Sequence, residues 1–226
     1  MNLDNELNPE INMPNDLPIY CYPQARRIGL IADTHVPDRA KQLHPLVFDT
    51  FDGVDLILHG GDITSKGVMD QLNEIAPTLA VRGNNRRDAL IEPPLPYQCM
   101  VQVSNGIRIA MWHGMETFSH RLTDAILGRT GFFKFISNRM VKRSINALPD
   151  SDIIFFGHLH WPKIHYTGTR LLINPGRAFS KTESSCGILL IDKKTVRVKI
   201  IPLANSGRLS SLVQDWHVFC LHQKMT

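Results

Sequence analysis

Cysteine is scarce and scattered in this chain: Cys21, Cys99, Cys186 and Cys220 stand far apart, with no Cys-x-x-Cys pair. That excludes a thiolate zinc knuckle or a paired redox motif, and free thiols in a reducing compartment are expected rather than a disulfide framework. Long apolar runs are missing too, and none approaches the ~20 residues of a membrane-spanning helix. Residues 1–18 are acidic and rich in Asn and Pro, without the basic start and apolar core of a signal peptide. A cytoplasmic protein is expected. A large charge excess is missing as well: 25 Lys and Arg against 21 Asp and Glu give a mildly basic net charge of +4. That balance suits a small anionic partner and carries no nucleic-acid-binding module. Repeats and low-complexity tracts are absent. What is present, 226 residues with 43% hydrophobic and 20% charged content, is enough for one α/β domain with a sizeable core.

Residues 1–25, with Pro9, Pro14, Pro18 and Pro23 and little periodicity, read as a loosely ordered leader. A single domain is expected over 26–204, followed by a C-terminal extension over 205–226. Ile28–Ala32 is a buried strand, Leu43–Phe51 has helical spacing, and Leu56–Leu58 is a second strand. Val68, Leu72 and Ile75 mark a second helix, and Leu79–Val81 a third strand. This alternation predicts a mainly parallel sheet covered on both faces. Met100–Val103 and Ile107–Trp112 flank Asn105-Gly106, a strong hairpin signal. Residues 117–148 form a basic helical insertion, expected as two helices broken near Gly128–Gly131. Arg121, Arg129, Lys134, Arg139, Lys142 and Arg143 there face Asp124 alone. It suits either a positively charged lid or an amphipathic pair with one solvated face. Ile164–Tyr166, Leu171–Asn174, Gly187–Ile191 and Val196–Ile201 read as a mostly antiparallel sheet, and Trp216–Leu221 as a short apolar patch of no assigned role.

The chemistry gathers where strands end. Ile153–Phe156 is a four-residue apolar run, broken by Gly157 and followed by His158 and His160. The same pattern recurs at Asp33-x-His35, Gly61-Asp62, Gly83-Asn84 and His113-Gly114. In open α/β sheets ligands bind beyond the carboxyl ends of the strands. Five such ends carrying Asp, Asn and His are poorly explained as sheet decoration. The donor set mixes oxygen and nitrogen without thiolate, which suits Mn, Fe, Zn or a similar divalent ion. His44, His120, His165, His217 and His222 have no partner spacing, and His59 is expected to be packed within the second strand's turn.

These ordered motifs resemble those of the calcineurin-like metallophosphoesterases, and Asn174-Pro175-Gly176 is similar to their small bacterial and archaeal phosphodiesterase branch. The resemblance runs from about Arg27 to Pro202. It implies a four-layer α/β/β/α sandwich of two mixed sheets flanked by helices, with two divalent ions at the strand-end edge. Manganese is the expected ion, with Fe, Zn, Ni or Mg as alternatives. Carried over, Asp33, His35 and His160 would hold one ion, Asn84, His113 and His158 the other, and Asp62 would bridge them. Asp62, Asn84 and His113 would be central to catalysis. A water between two such ions loses a proton near neutral pH and can attack phosphorus in line.

The implied function is a phosphodiesterase acting on a small anionic phosphoester. A phosphomonoesterase or nucleotide pyrophosphatase, or a non-catalytic metal-binding scaffold, are the alternatives, and a homo-oligomer stays open. One position departs from the family: Asn85 stands where many members have a His that serves as general acid. Its amide has no ionisable proton to give, which predicts weak catalysis with poor leaving groups. Asn85 and Arg86 are the expected substrate contacts, with Arg87 beside them. Asp88 suits either orienting this loop or capping a helix, and the cap is the expectation.

Overall fold

The computed structural model describes residues 17–114, 133–148, 150–179, 181–193, 195–204 and 215–221. The first half alternates as its periodicity requires. β2 (Arg27–Ile31), α1 (Leu46–Phe51), β3 (Leu56–His59), α2 (Lys66–Ile75) and β4 (Thr78–Ala80) follow one another, and the three strands run parallel. β5 (Gln98–Gln102) and β6 (Arg108–Trp112) then form an antiparallel hairpin. Its turn places Asn105 at φ 61° and Gly106 at φ 70°, a left-handed pair for which Asn-Gly is the favoured sequence. α3 (Phe133–Ala147), β7 (Ile153–Phe156), β8 (Lys163–Tyr166), β9 (Leu171–Asn174), β10 (Ser185–Asp192), β11 (Thr195–Pro202) and β12 (His217–Cys220) complete the order.

With Ile19–Cys21 as β1, the strands divide into two six-stranded sheets, β1-β5-β6-β7-β9-β8 and β12-β11-β10-β2-β3-β4. Alternate side chains show how they stack. Ile28, Leu30, Leu56 and Leu58 of one sheet meet Ile109, Met111, Ile153 and Phe155 of the other in a central apolar layer. The intervening residues point outward. Ile31 and Ile57 lie under Val47 and Phe51 of α1 and Val68 and Leu72 of α2. Ile154 and Phe156 lie under Met140 and Val141 of α3. Strands buried on both faces read as continuous apolar runs rather than alternating ones. The result is an α/β/β/α sandwich.

Three expectations need correction. The C-terminal strands do not form one mostly antiparallel sheet. β7 runs parallel to both its neighbours, β6 and β9, while β10–β12 cross to the other sheet, where β10 pairs antiparallel with β2. The stretch 1–25 is described only from residue 17, and its last part is ordered. Ile19–Cys21 form β1, which pairs parallel with β5, and Tyr20 and Tyr22 pack on the central layer. The prolines concealed this strand, yet Pro is tolerated at the ends of an edge strand. Finally, His217–Cys220 within the apolar patch form an edge strand, β12, paired with β11.

Of the basic insertion, residues 117–132 lie outside the described residues, as do His120, His222 and most of the 205–226 extension. The later helix, α3, is one outer layer of the sandwich. Trp112 Nε1–H donates to Ser144 Oγ at 3.1 Å, and Arg170 Nη1–H donates to the carbonyls of Ile145 (3.0 Å) and Leu148 (3.2 Å) at the helix C-terminus. A cation there also complements the helix dipole.

Candidate metal centre

The carboxyl ends of β2, β3, β4, β6 and β7 come out along one edge of the sandwich, level with one another because the parallel registers are flush: Ile31 opposite His59, His59 opposite Ala80, Trp112 opposite Phe156. Asp33, His35, Asp62, Asn84, His113, His158 and His160 all fall just beyond those ends. Five of these seven, Asp33 (φ 52°), His35 (46°), Asp62 (56°), His158 (70°) and His160 (56°), have left-handed backbone. Such conformations cost a non-glycine residue about 1–2 kcal/mol, and they persist where the surroundings fix them, typically at functional sites. Two glycines are required by close approach. A Cβ on Gly83 would collide with the backbone nitrogen and Oδ1 of Asp62, and one on Gly157 would lie 2.5 Å from the Gly60 carbonyl and 2.9 Å from His113 Nδ1.

Asp62 stands at the centre. Its Oδ1 accepts the Asn85 N–H at 2.8 Å, and its Oδ2 lies 3.3 Å from His35 Nε2 and 3.6 Å from His113 Nε2. To one side, Asp33 Oδ1 is 3.3 Å from His160 Nε2. One ligand atom each from Asp33, His35, Asp62 and His160 lies within 4.8 Å of all the others. To the other side, His113 Nδ1–H donates to the Gly60 carbonyl at 2.7 Å, which turns Nε2 toward Asp62 and Asn84 Oδ1, 2.9 Å away. The His158 ring meets the His113 ring edge-on at 5.2 Å, and its backbone N–H donates to Asp33 Oδ2 at 3.1 Å.

Several observations fit a cation here. Asp33 Oδ1 and both ring nitrogens of His35 are buried without a hydrogen bond, although buried polar groups are nearly always paired. Asn84 Oδ1 faces acceptors. Turned over, its amide nitrogen would donate to Asp62 Oδ2 at 2.8 Å and to His113 Nε2 at 2.9 Å, so the pocket accommodates a positive end and has no donor to match the oxygen. The ionisation equilibria point the same way. Burial would raise both carboxyl groups, but His160 and His113 hold Asp33 below its ordinary value, and His113, His35 and the Asn85 N–H hold Asp62 well below it. Burial would lower His113, yet Asp62 and Asp33 raise it. Burial, with the charge of His113, pushes His158 down to about 4. Two buried anions at one centre need positive charge between them.

Asp88 corrects the reading as a helix cap. Its carboxylate is fully buried and accepts four backbone N–H groups: Asp62 (2.9 Å), Ile63 (3.3 Å) and Gly83 (2.8 Å) on Oδ2, and Thr64 (2.9 Å) on Oδ1. It ties the loop after β3 to the loop after β4. The cap of the following 3-10 turn (Arg86–Leu90) is Asn85, whose Oδ1 accepts the Arg87 N–H at 3.0 Å. The Asn85 amide also donates to Asp38 Oδ2 at 3.2 Å, and Arg87 pairs with Asp38 Oδ1 at 3.1 Å. Of the expected substrate contacts, Asn85 is therefore committed to neighbouring residues, while Arg86 is exposed. Asn174 serves the site at one remove. Its Nδ2 donates to the Gly157 carbonyl and its Oδ1 accepts the Gly176 N–H, fixing the turn that carries His158.

His59 is buried beneath the cluster. Gly61 N–H donates to its Nδ1 at 3.2 Å, so the ring is neutral with its proton on Nε2, 3.1 Å from Thr34 Oγ1, which donates onward to the Ile63 carbonyl at 3.2 Å. Burial pushes its pKa down to about 3. The unfolded chain binds this proton below about 6.5 and the folded chain does not. Stability is therefore whole above pH 6.5 and declines as pH falls toward 3, at up to ~1.4 kcal/mol per pH unit. In chelator-treated protein, His59→Gln is expected to lower Tm at pH 7 but to flatten its decline between pH 6.5 and 4. A Tm offset equal at every pH would contradict this.

A sandwich with a His/Asp/Asn cluster beyond its parallel strand ends defines a metal-site class of α/β protein. The chain belongs to the calcineurin-like phosphoesterase superfamily, whose domain model matches residues 27–195. A probable metallophosphoesterase of Methanocaldococcus jannaschii is 35% identical over 180 residues, spanning 78% of this chain and 81% of that one. Another, from Methanothermobacter thermautotrophicus, is 32% identical over 176 residues, 77% of this chain and 91% of its own. Among solved structures, the zinc complex of the vacuolar protein sorting protein Vps29 from Entamoeba histolytica superposes with a TM-score of 0.58 at 18% identity, covering 86% of this chain and 98% of that one. That likeness concerns the fold. No helix among the described residues is long and apolar enough to cross a membrane.

Proposed function

We propose that this protein is a dinuclear-metal phosphodiesterase. The observation that supports the reading is the gathering of six Asp, Asn and His side chains about one central carboxylate, Asp62, in a chain of the phosphoesterase family. Asp33, His35 and His160 would hold one divalent ion, Asn84, His113 and His158 a second, and Asp62 would bridge them. Two ions so held would supply an acidified water and neutralise charge developing on the phosphoryl oxygens.

The chain's own residues do the rest. The Gly60 carbonyl fixes the His113 tautomer and aims Nε2 inward, and His158 N–H steadies Asp33. Such outer contacts orient ligands and tune their basicity. Asp88 keeps the Asp62 loop in its left-handed form. Asn85 supplies a backbone N–H to Asp62 but no proton to a leaving group, and general-acid help is typically worth ~10²–10⁴-fold. Esters with good leaving groups are the ones this site is suited to cleave. The substrate is a small anionic phosphodiester, with manganese the expected ion.

The test uses metal-stripped protein and bis(4-nitrophenyl) phosphate, with Mn, Mg, Zn or no metal returned, and 4-nitrophenyl phosphate and a nucleotide pyrophosphate alongside. The diester should be cleaved fastest, only with metal, and not by His158→Ala. Preferential monoester or pyrophosphate cleavage would replace the diesterase reading with those activities. Bound ions without turnover on any substrate would favour a scaffold.

A further inference from the structure

The loops around the metal centre carry several cations, and two of them are already matched. Arg87 is paired with Asp38, itself bound by Asn85. Arg177 is held by Glu183, with Nη2 2.9 Å from Oε2 and Nε donating to the Glu183 carbonyl at 3.2 Å. Arg39 is different. It is exposed and makes no ion pair with a described residue. Its backbone N–H donates to the His35 carbonyl at 2.7 Å, which fixes its place one turn beyond that ligand. Its guanidinium carbon lies 5.1 Å from the centroid of the Phe179 ring.

Phe179 connects this cation to the cluster. Its ring meets His35 edge-on at 5.0 Å and His160 edge-on at 5.3 Å, and Arg177 also lies over it at 5.3 Å. The Arg39 guanidinium is therefore one aromatic ring away from two of the three outer ligands on that side of Asp62. A planar guanidinium resting on a ring keeps its N–H fork free and loses little further freedom on binding an anion. Arg177, also over this ring, is paired with Glu183 and contributes no unmatched charge.

We infer that Arg39 and Phe179 form an anion subsite at the mouth of the metal centre, on the His35–His160 side. It receives a second negatively charged group, phosphate, phosphonate or carboxylate, borne by the substrate beyond the phosphorus under attack. The inference rests on the phosphoesterase reading and adds a substrate class to it: phosphoesters whose substituent is itself anionic. Arg39 recognises the substrate and takes no part in bond cleavage, so its loss is felt in binding and leaves metal content intact.

The experiment is calorimetric titration of manganese-loaded protein with two non-hydrolysable probes, methylphosphonate and methylenediphosphonate, which differ by one anionic group. Wild-type protein is expected to bind the diphosphonate at least about tenfold more tightly. Arg39→Ala should weaken diphosphonate binding by roughly 10–100-fold, the range of a charge-assisted hydrogen bond, while methylphosphonate affinity and manganese content stay the same. Arg39→Lys should fall between the two, keeping charge without the fork. Lys66→Ala, which removes an exposed cation paired with Asp70, controls for net charge and should behave as wild type. Arg39→Ala protein that binds the diphosphonate as tightly as wild type would overturn the inference, as would wild-type protein that binds neither probe. Failure of the phosphodiesterase reading shows separately, as the absence of metal-restored hydrolysis in wild-type protein.

Discussion

Asp62→Asn is expected to lose bound metal and hydrolytic activity together. The substitution keeps the side chain's shape and leaves one oxygen, but replaces the other with an NH2 donor. That donor would sit where Oδ2 now lies 3.3 Å from His35 Nε2 and 3.6 Å from His113 Nε2. It also removes a unit of negative charge from the centre of the cluster. Changes to residues that merely support metal ligands typically cost 10–100-fold in affinity, so loss of the central carboxylate should cost more than about 100-fold. The measurement is metal content by elemental analysis after dialysis, with phosphodiester turnover on the same samples. Circular dichroism checks that the fold persists. A variant that retained its metal and its rate would remove Asp62 from the centre of the site.

Asp88→Ala should be the most destabilising single change near the cluster. It deletes the acceptor for four backbone N–H groups on two loops, and each buried donor left unpaired costs about 1–3 kcal/mol. Water entering the space would recover part of this, so a net loss of about 3–5 kcal/mol is expected, as when one partner of a buried charged network is removed. At about 2–4 °C per kcal/mol for a domain of this size, that lowers Tm by roughly 6–20 °C. Asp88→Asn should be nearly as harmful, because its NH2 would face donors. The residues released include Asp62 and Thr64, both in left-handed backbone, so metal affinity should fall even where the variant stays folded. Thermal melts of apo protein and metal titration of the folded fraction separate the two effects. Unchanged values in both would mean that these four hydrogen bonds contribute little to either.

Much of this architecture could be read from the chain because its signals are local. An apolar run such as Ile153–Phe156, stopped by Gly157, marks a strand end wherever the strand lies in the sheet. Five such ends with Asp, Asn and His are enough to gather the cluster residues on one edge. Partition into two sheets was not legible, since β10 pairs with β2 across more than a hundred residues and alternation along β10 does not say which strand lies beside it. β1 was hidden because Pro18 and Pro23 outweigh three residues of strand signal. Asp88 looked like a cap because Asn85, the true cap, stands three residues earlier, and four converging N–H groups leave no mark on spacing. The Arg39–Phe179 contact joins residues 140 positions apart and was invisible for the same reason.

Each half of the cluster draws on both sheets: Asp33 and His35 follow strands of one and His160 a strand of the other, while Asn84 is matched with His113 and His158 across the same seam. An ion seated in either half would therefore act as a rivet through two plates whose shared layer is greasy, beside the few hydrogen bonds that already cross this edge, His113 to the Gly60 carbonyl and His158 N–H to Asp33. Apolar layers resist being pulled apart but have little to say about sliding, because one methyl group is much like the next. Directional bonds at one edge would add to that resistance, and the two plates would then part together or not at all.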